Sequence, residues 1–270
     1  MKTRVITGVV AGAAALVVLL LLPPLAINIL VALLAAVAVY ELANALKLSK
    51  QYGILAWCML LAAVMPFLGF LQTKWVAPIL LVFVLGLAAS LLLYHQKVAA
   101  ASLLAFGFLT LFVSFGFTSL ALLRHSDEKV GLAYLFFTLL AAWMSDTGAY
   151  FTGYLFGKHK LCPIISPKKT VEGFAGGILF SILICTVSGI IYGAAADVEV
   201  CWWRVALLAG IASPISVMGD LFASVIKRQN DIKDYGNLFP GHGGVMDRFD
   251  SVIFVAPLVW VAIYWLPLIG

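Results

Sequence analysis

The chain has 270 residues, of which 64% are hydrophobic and only 11% charged, with a net charge of +5 and a mean hydropathy of +1.10. A soluble globular domain carries about 25% charged residues, so this composition excludes one. The basic excess does not point to nucleic acid either, because no basic stretch is interleaved with aromatics; orientation in a bilayer explains it more simply.

Apolar runs of about 17 to 25 residues recur from one end of the chain to the other, each able to cross a hydrocarbon core of roughly 30 Å as a helix. Without water, every backbone N–H and C=O must be paired internally, which leaves helices or closed barrels, and runs with no period-two alternation exclude the barrel. The expected fold is therefore all-α and polytopic, with about nine spans at 6–22, 25–42, 53–71, 76–94, 99–123, 131–156, 174–192, 205–226 and 252–268. The opening MKTRVITGVV resembles a secretory signal in its basic start, but no small-residue cleavage site follows before Pro23 and Pro24, so a retained first helix is expected. Most of the 17 Lys and Arg then fall on one side, among them Lys2, Arg4, Lys47, Lys97, Lys158 and Lys227, while Lys74, Arg124, Lys129 and Arg204 fall on the other. By the positive-inside rule the amino terminus faces the cytoplasm, as do the two long polar loops, 157–173 and 227–251. Cys58, Cys162, Cys185 and Cys201 stand without a CxxC or a His at metal spacing and are read as small apolar fillers.

Charge is uneven along the chain. Before residue 124 the only acid is Glu41. Residues 1–130 read as a transmembrane scaffold of five helices, and 131–270 as a catalytic region of four helices with the two loops. In the eighth span Ser213, Ser216, Asp220, Ser224 and Lys227 follow one another at steps of three or four and so share a helix face. Asp220 lies seven residues before Lys227, roughly 10 Å from the helix end. A carboxylate there costs on the order of 2.5–3.5 kcal/mol and needs a partner, whether a packing neighbour or a ligand. The loop that follows, PGHGG, permits positive φ and lets N–H groups converge on an anion. Asp247 and Asp250 come next, with Arg248 available for bidentate phosphate contact. Hard carboxylates among phosphate-binding groups suit Mg²⁺, which takes one or two of them and completes its shell with phosphates and water. His242 either donates to a phosphate or caps the turn.

A second polar cluster occupies WMSDTGAYFTGYLFGKHKLCPIISPKKTVEG. Asp146 lies roughly 16 Å deep in the sixth span. Gly153 and Gly157 form a GxxxG read as helix packing. SPKKTVEG places Ser166, Lys168 and Lys169 just before a helix start that attracts anions. No GxxxxGK[ST], GxSxG, HExxH or Ser/His/Asp grouping appears, which argues against P-loop chemistry or a covalent nucleophile.

The segment SVIKRQNDIKDYGNLFPGHGGVMDRFD, over 224–250, resembles the signature of the phosphatidate cytidylyltransferases, also called CDP-diacylglycerol synthases. DTGAYxxGxxFGKHKL and SPKKTxEG resemble that family's upstream motifs, so the likeness covers most of 140–255; the amino-terminal half is similar only in hydropathy. The resemblance implies that CTP and phosphatidate give CDP-diacylglycerol and pyrophosphate, with Mg²⁺, at the cytoplasmic face of the inner membrane. It also implies a homodimer, and a metal centre held by the aspartates matching Asp220 and Asp247, with room for a K⁺ beside it. The lipid phosphate is then the nucleophile, which accounts for the missing triad. Expected roles follow from it. Asp220, Asp247 and Asp250 are metal ligands, and Lys227, Arg228, Lys233 and Arg248 neutralise phosphate charge. Gly243 and Gly244 offer N–H donors, and Ser224 and His242 belong to the substrate site. Ser166, Lys168 and Lys169 form a basic wall on the lipid side, and Asp146 serves the metal, a lysine or cytidine. Two rival readings are cytidylyl transfer to another phospholipid, such as an archaeal ether lipid, and transport of an anionic solute. Transport paths are also lined by buried acids, but transporters favour pseudo-repeats across two halves.

Overall fold

The computed structural model describes residues 23–70, 73–241 and 243–269. The expected first span, 6–22, and His242 lie outside the described residues. Nine helices, numbered here in chain order, carry nearly all of the described structure. They are α1 (Pro24–Ala45), α2 (Tyr52–Val64), α3 (Val76–Tyr94), α4 (Ala100–His125), α5 (Gly131–Phe156), α6 (Val171–Ala196), α7 (Trp202–Gln229), the short α8 (Met246–Phe249) and α9 (Val252–Trp265). Among the described residues seven helices are long and apolar enough to cross a membrane, with α2 extended to Phe70 by a 3₁₀ stretch, and α9 is a shorter apolar helix. The chain is an all-α, multi-pass membrane protein.

It divides into two compact units. Among the described residues the first falls within 23–125 and 229–248, so the second polar loop packs with the amino-terminal helices; the other unit falls within 126–228 and 249–269.

In the first unit α1 starts on Pro24, whose fixed φ suits a first helical position and whose missing N–H leaves no orphan donor. The chain leaves α1 through Lys47 at φ 59°. Buried Asn28 ties three elements together: its Nδ2 donates to Pro66 O at 2.7 Å, and its Oδ1 lies 2.7 Å from His125 Nε2. Trp57 donates to Phe83 O at 3.1 Å, joining α2 to α3.

In the second unit α5 and α6 pack most closely. Gly148 has no room for a Cβ against Phe180, and Gly177 none against Ser145 O and Ala149. Small residues at such a contact let the backbones approach without a gap that lipid cannot fill. Hydroxyls tie both α6 and α7 to α5. Ser145 and Ser213 are 2.6 Å apart, Ser216 donates to Ala142 O at 3.4 Å, and Ser181 to Ala141 O at 3.1 Å. The polar face of α7 thus turns toward α5, and its first two serines serve packing. The loop 157–173 holds an antiparallel hairpin, β1 (Lys160–Cys162) with β2 (Ser166–Thr170), irregular at Lys160/Cys162. Thr170 ends the hairpin and caps α6, its Oγ1 accepting from Gly173 N at 3.1 Å. The four cysteines are all free thiols, with Cys58 and Cys185 buried.

Candidate active site

In the second unit the hairpin and α7 meet at an ion pair. Lys169 Nζ, on β2, lies 2.7 Å from Asp220 Oδ2, with both side chains partly exposed. Ser224, one turn along α7, donates to Asp220 Oδ1 at 3.3 Å. Asp220 therefore has a cation on one oxygen and a hydroxyl on the other, the partners that an acid within a spanning helix requires. The side-chain spacing read from the sequence comes out as structure here: Asp220 and Ser224 do share a face.

Beside them, Asp250 is buried and takes the N–H of Ser251 on Oδ1 at 2.8 Å. The Ser251 hydroxyl donates to Asp146 Oδ2 at 3.1 Å. Burial pushes the Asp250 carboxyl up to about 7; the negative charges of Asp220 and Asp146 push the same way, while Lys227 opposes them. Three aspartates from α5, α7 and the start of α9 thus share one electrostatic neighbourhood, which an additional cation would relieve. Lys168 is exposed on the hairpin with Ser166 half-buried on the same strand, and Arg228 is exposed at the end of α7.

In the first unit the loop folds around two carboxylates. Asp247 Oδ2 accepts the N–H of Tyr235 at 2.8 Å and of Gly244 at 3.0 Å. Glu41, on α1, accepts Val245 N on Oε1 at 3.0 Å and Met246 N on Oε2 at 2.8 Å. Gly241 and Gly243 have φ of 79° and 83°, a region open to glycine, and Phe239 N closes the turn on Gly243 O at 2.9 Å. The N–H of Gly244, expected to face a phosphate, is engaged by Asp247. Lys233 and Arg248 are exposed on this loop.

Sequence reasoning passed over Glu41, which it placed in the scaffold. The signal was present: a lone acid in a helix of 22 residues with no other charge.

Among the described residues no group of three or more His, Cys, Asp or Glu forms a ready metal shell. The donor set fits a hard ion that takes few protein carboxylates and fills its shell from phosphates and water. It does not fit zinc, which wants His or Cys in a closed set.

Residues 2–266 match the model of the cytidylyltransferase family. The chain is 35% identical to the phosphatidate cytidylyltransferase of Bacillus subtilis (strain 168) over 269 residues, covering 96% of each. It is also 35% identical to the phosphatidate cytidylyltransferase of Staphylococcus haemolyticus over 271 residues, 96% of this chain and 97% of the other. A Staphylococcus epidermidis protein of the same name is 46% identical over 135 residues, half of each chain.

Proposed function

The chain belongs to the cytidylyltransferase family, and we propose for it the reaction its relatives are named for: transfer of the cytidylyl group of CTP to phosphatidate, giving CDP-diacylglycerol and pyrophosphate. The protein is a membrane-bound nucleotidyltransferase of phospholipid synthesis. The observation that carries this reading is the end-to-end likeness to phosphatidate cytidylyltransferases, at 35% identity over 96% of the chain.

A phosphate oxygen of phosphatidate attacks the α-phosphorus of CTP. The bond from that phosphorus to the α–β bridging oxygen breaks, and pyrophosphate leaves with the electron pair. Both reactants are anions, so the protein's task is positioning and charge neutralisation rather than supply of a nucleophile. Lys227, Arg228, Lys233 and Arg248 neutralise phosphate charge. Ser166, Lys168 and Lys169 receive the lipid phosphate, Lys169 being held by Asp220 until then. Gly243 shapes the turn beside Asp247, and Asp146 orients Ser251 or a substrate amine.

Asp220, Asp247 and Asp250 are the carboxylates we assign to Mg²⁺, with space for a second ion such as K⁺. When bound, the divalent ion withdraws charge from the triphosphate and stabilises the leaving pyrophosphate. Support comes from the donor chemistry and from the way Asp146 and Asp220 add their charge to that of buried Asp250 in the second unit. The reaction takes place at the cytoplasmic face of the inner membrane, where CTP enters from water and the lipid from the bilayer; the lysine-rich loops support that side. The working unit is a homodimer, as the resemblance implies, and crosslinking in native membranes tests it.

The test is purified protein in detergent with labelled CTP, offered phosphatidate or an ether-lipid phosphate, with and without Mg²⁺. Label passes into phosphatidate product only with the ion. Preference for the ether lipid, or transfer undiminished by chelation, overturns the substrate or the metal assignment respectively.

A further inference from the structure

We propose that Glu41 is a positioning residue for the reaction: its carboxylate, carried on the first described helix, fixes the backbone of residues 244–246 and so sets the aim of Asp247. This inference rests on the reading of Asp247 as a working carboxylate.

Glu41 is buried, 4% exposed, with both oxygens engaged by successive backbone N–H groups 204 and 205 residues away in sequence. The next N–H upstream, that of Gly244, goes to Asp247 Oδ2, which also takes Tyr235 N. Three consecutive amides are therefore held by two carboxylates, and the rotation of Asp247 is set by the segment Glu41 grips. Two glycines are shaped to the grip, since a Cβ at Gly236 or at Gly244 would run into the Glu41 carboxylate. A residue serving only to cap a helix would not require glycine at two separate points of another segment. The chemistry requires a carboxylate, because two N–H donors face two acceptors. Glutamine offers one acceptor and turns an NH₂ toward the other N–H, donor against donor. These amides are thus taken up by carboxylates within the protein.

The experiment compares the full-length wild type in detergent with Glu41→Gln and Asn28→Ala. Asn28 lies on the same helix 13 positions earlier, about 20 Å away, and holds Pro66 and His125. Hydrogen exchange is read on peptides covering 235–248, together with thermal midpoint, kcat and KM for CTP. Glu41→Gln is expected to speed exchange at 244–246 and to lower kcat about 10- to 100-fold at saturating CTP, as loss of a partner orienting a ligand does. Asn28→Ala is expected to lower the midpoint at least as far, with wild-type exchange in 235–248 and wild-type kcat. Unchanged exchange at 244–246 in Glu41→Gln overturns the inference, as does an equal loss of kcat in both variants, which would mark general destabilisation. If Glu41→Gln does not fold, Gly244→Ala, which presses on the same carboxylate from the loop side, must lower kcat, and a wild-type value there overturns the inference. A wild type without cytidylyl transfer would sink the reaction instead, and the exchange data would still decide whether Glu41 grips the loop.

Discussion

Asp220→Asn separates a working carboxylate from a packing one. The substitution keeps shape and leaves an oxygen able to accept from Ser224 at 3.3 Å, while removing the charge that faces Lys169 at 2.7 Å. The ion pair is partly exposed, 21% and 31% by side chain, so its loss costs no more than about 1 kcal/mol of stability. For a chain of this size that shifts the thermal midpoint by about 2–4 °C. Losing a charge preorganised at the reacting phosphates weighs far more, about 10²–10³-fold in turnover, or ~2.7–4 kcal/mol. The two readings thus predict different ratios of activity loss to stability loss. The assay pairs label transfer from CTP into lipid with thermal unfolding of the same detergent preparation. Turnover within about tenfold of the wild type, corresponding to ~1.4 kcal/mol, would remove Asp220 from the metal. So would a midpoint that falls in step with activity, since the aspartate would then serve the fold.

Asp247→Asn should likewise abolish most transfer while the protein still folds, because the amide oxygen can keep the N–H groups of Tyr235 and Gly244; full turnover would leave Asp247 as a loop clasp only. Lys168→Ala, at an exposed strand position, should raise the KM for phosphatidate by about tenfold with little change in kcat, the weight of one charged hydrogen bond; steady-state kinetics in mixed micelles check it, and a fall in kcat at unchanged KM contradicts it. Gly243→Ala meets both a φ of 83° and the Asp247 carboxylate, so it should destabilise the turn by roughly 1–3 kcal/mol and reduce transfer, read by loop proteolysis and activity together. Thr170→Ala removes the cap of α6 and should lower stability by about 1 kcal/mol with CTP affinity intact, as melting and KM measurements would show.

How much of this was legible in the sequence depends on the range of the contact. The bilayer fixes helix length and forbids open backbone, so apolar runs alone placed the seven long helices among the described residues to within a few residues, and the helical repeat put Asp220 and Ser224 on one face. Short-range chemistry also came through: two of the three glycines of PGHGG, Gly241 and Gly243, take positive φ. What stayed hidden were contacts with no local periodicity. Glu41 reaches Val245 across 204 positions, and only the oddity of one acid in an apolar helix announced it. Ser213 and Ser216 align with Asp220 by spacing, yet their hydroxyls meet α5, because a helix period reports which residues align and not what they meet. The hairpin at 160–170 carries no sequence signal, since strands of three and five residues around two prolines have no alternation to detect.

Direct transfer turns on which phosphorus of CTP moves, and to what. Parallel reactions with CTP labelled at the α- or the γ-phosphate, each with phosphatidate and Mg²⁺, decide it. Attack by the lipid phosphate on the α-phosphorus puts α-label in the lipid product and γ-label in pyrophosphate, in equal amounts. γ-Label in the lipid, or α-label held on the protein after denaturation, would contradict direct attack by the lipid phosphate.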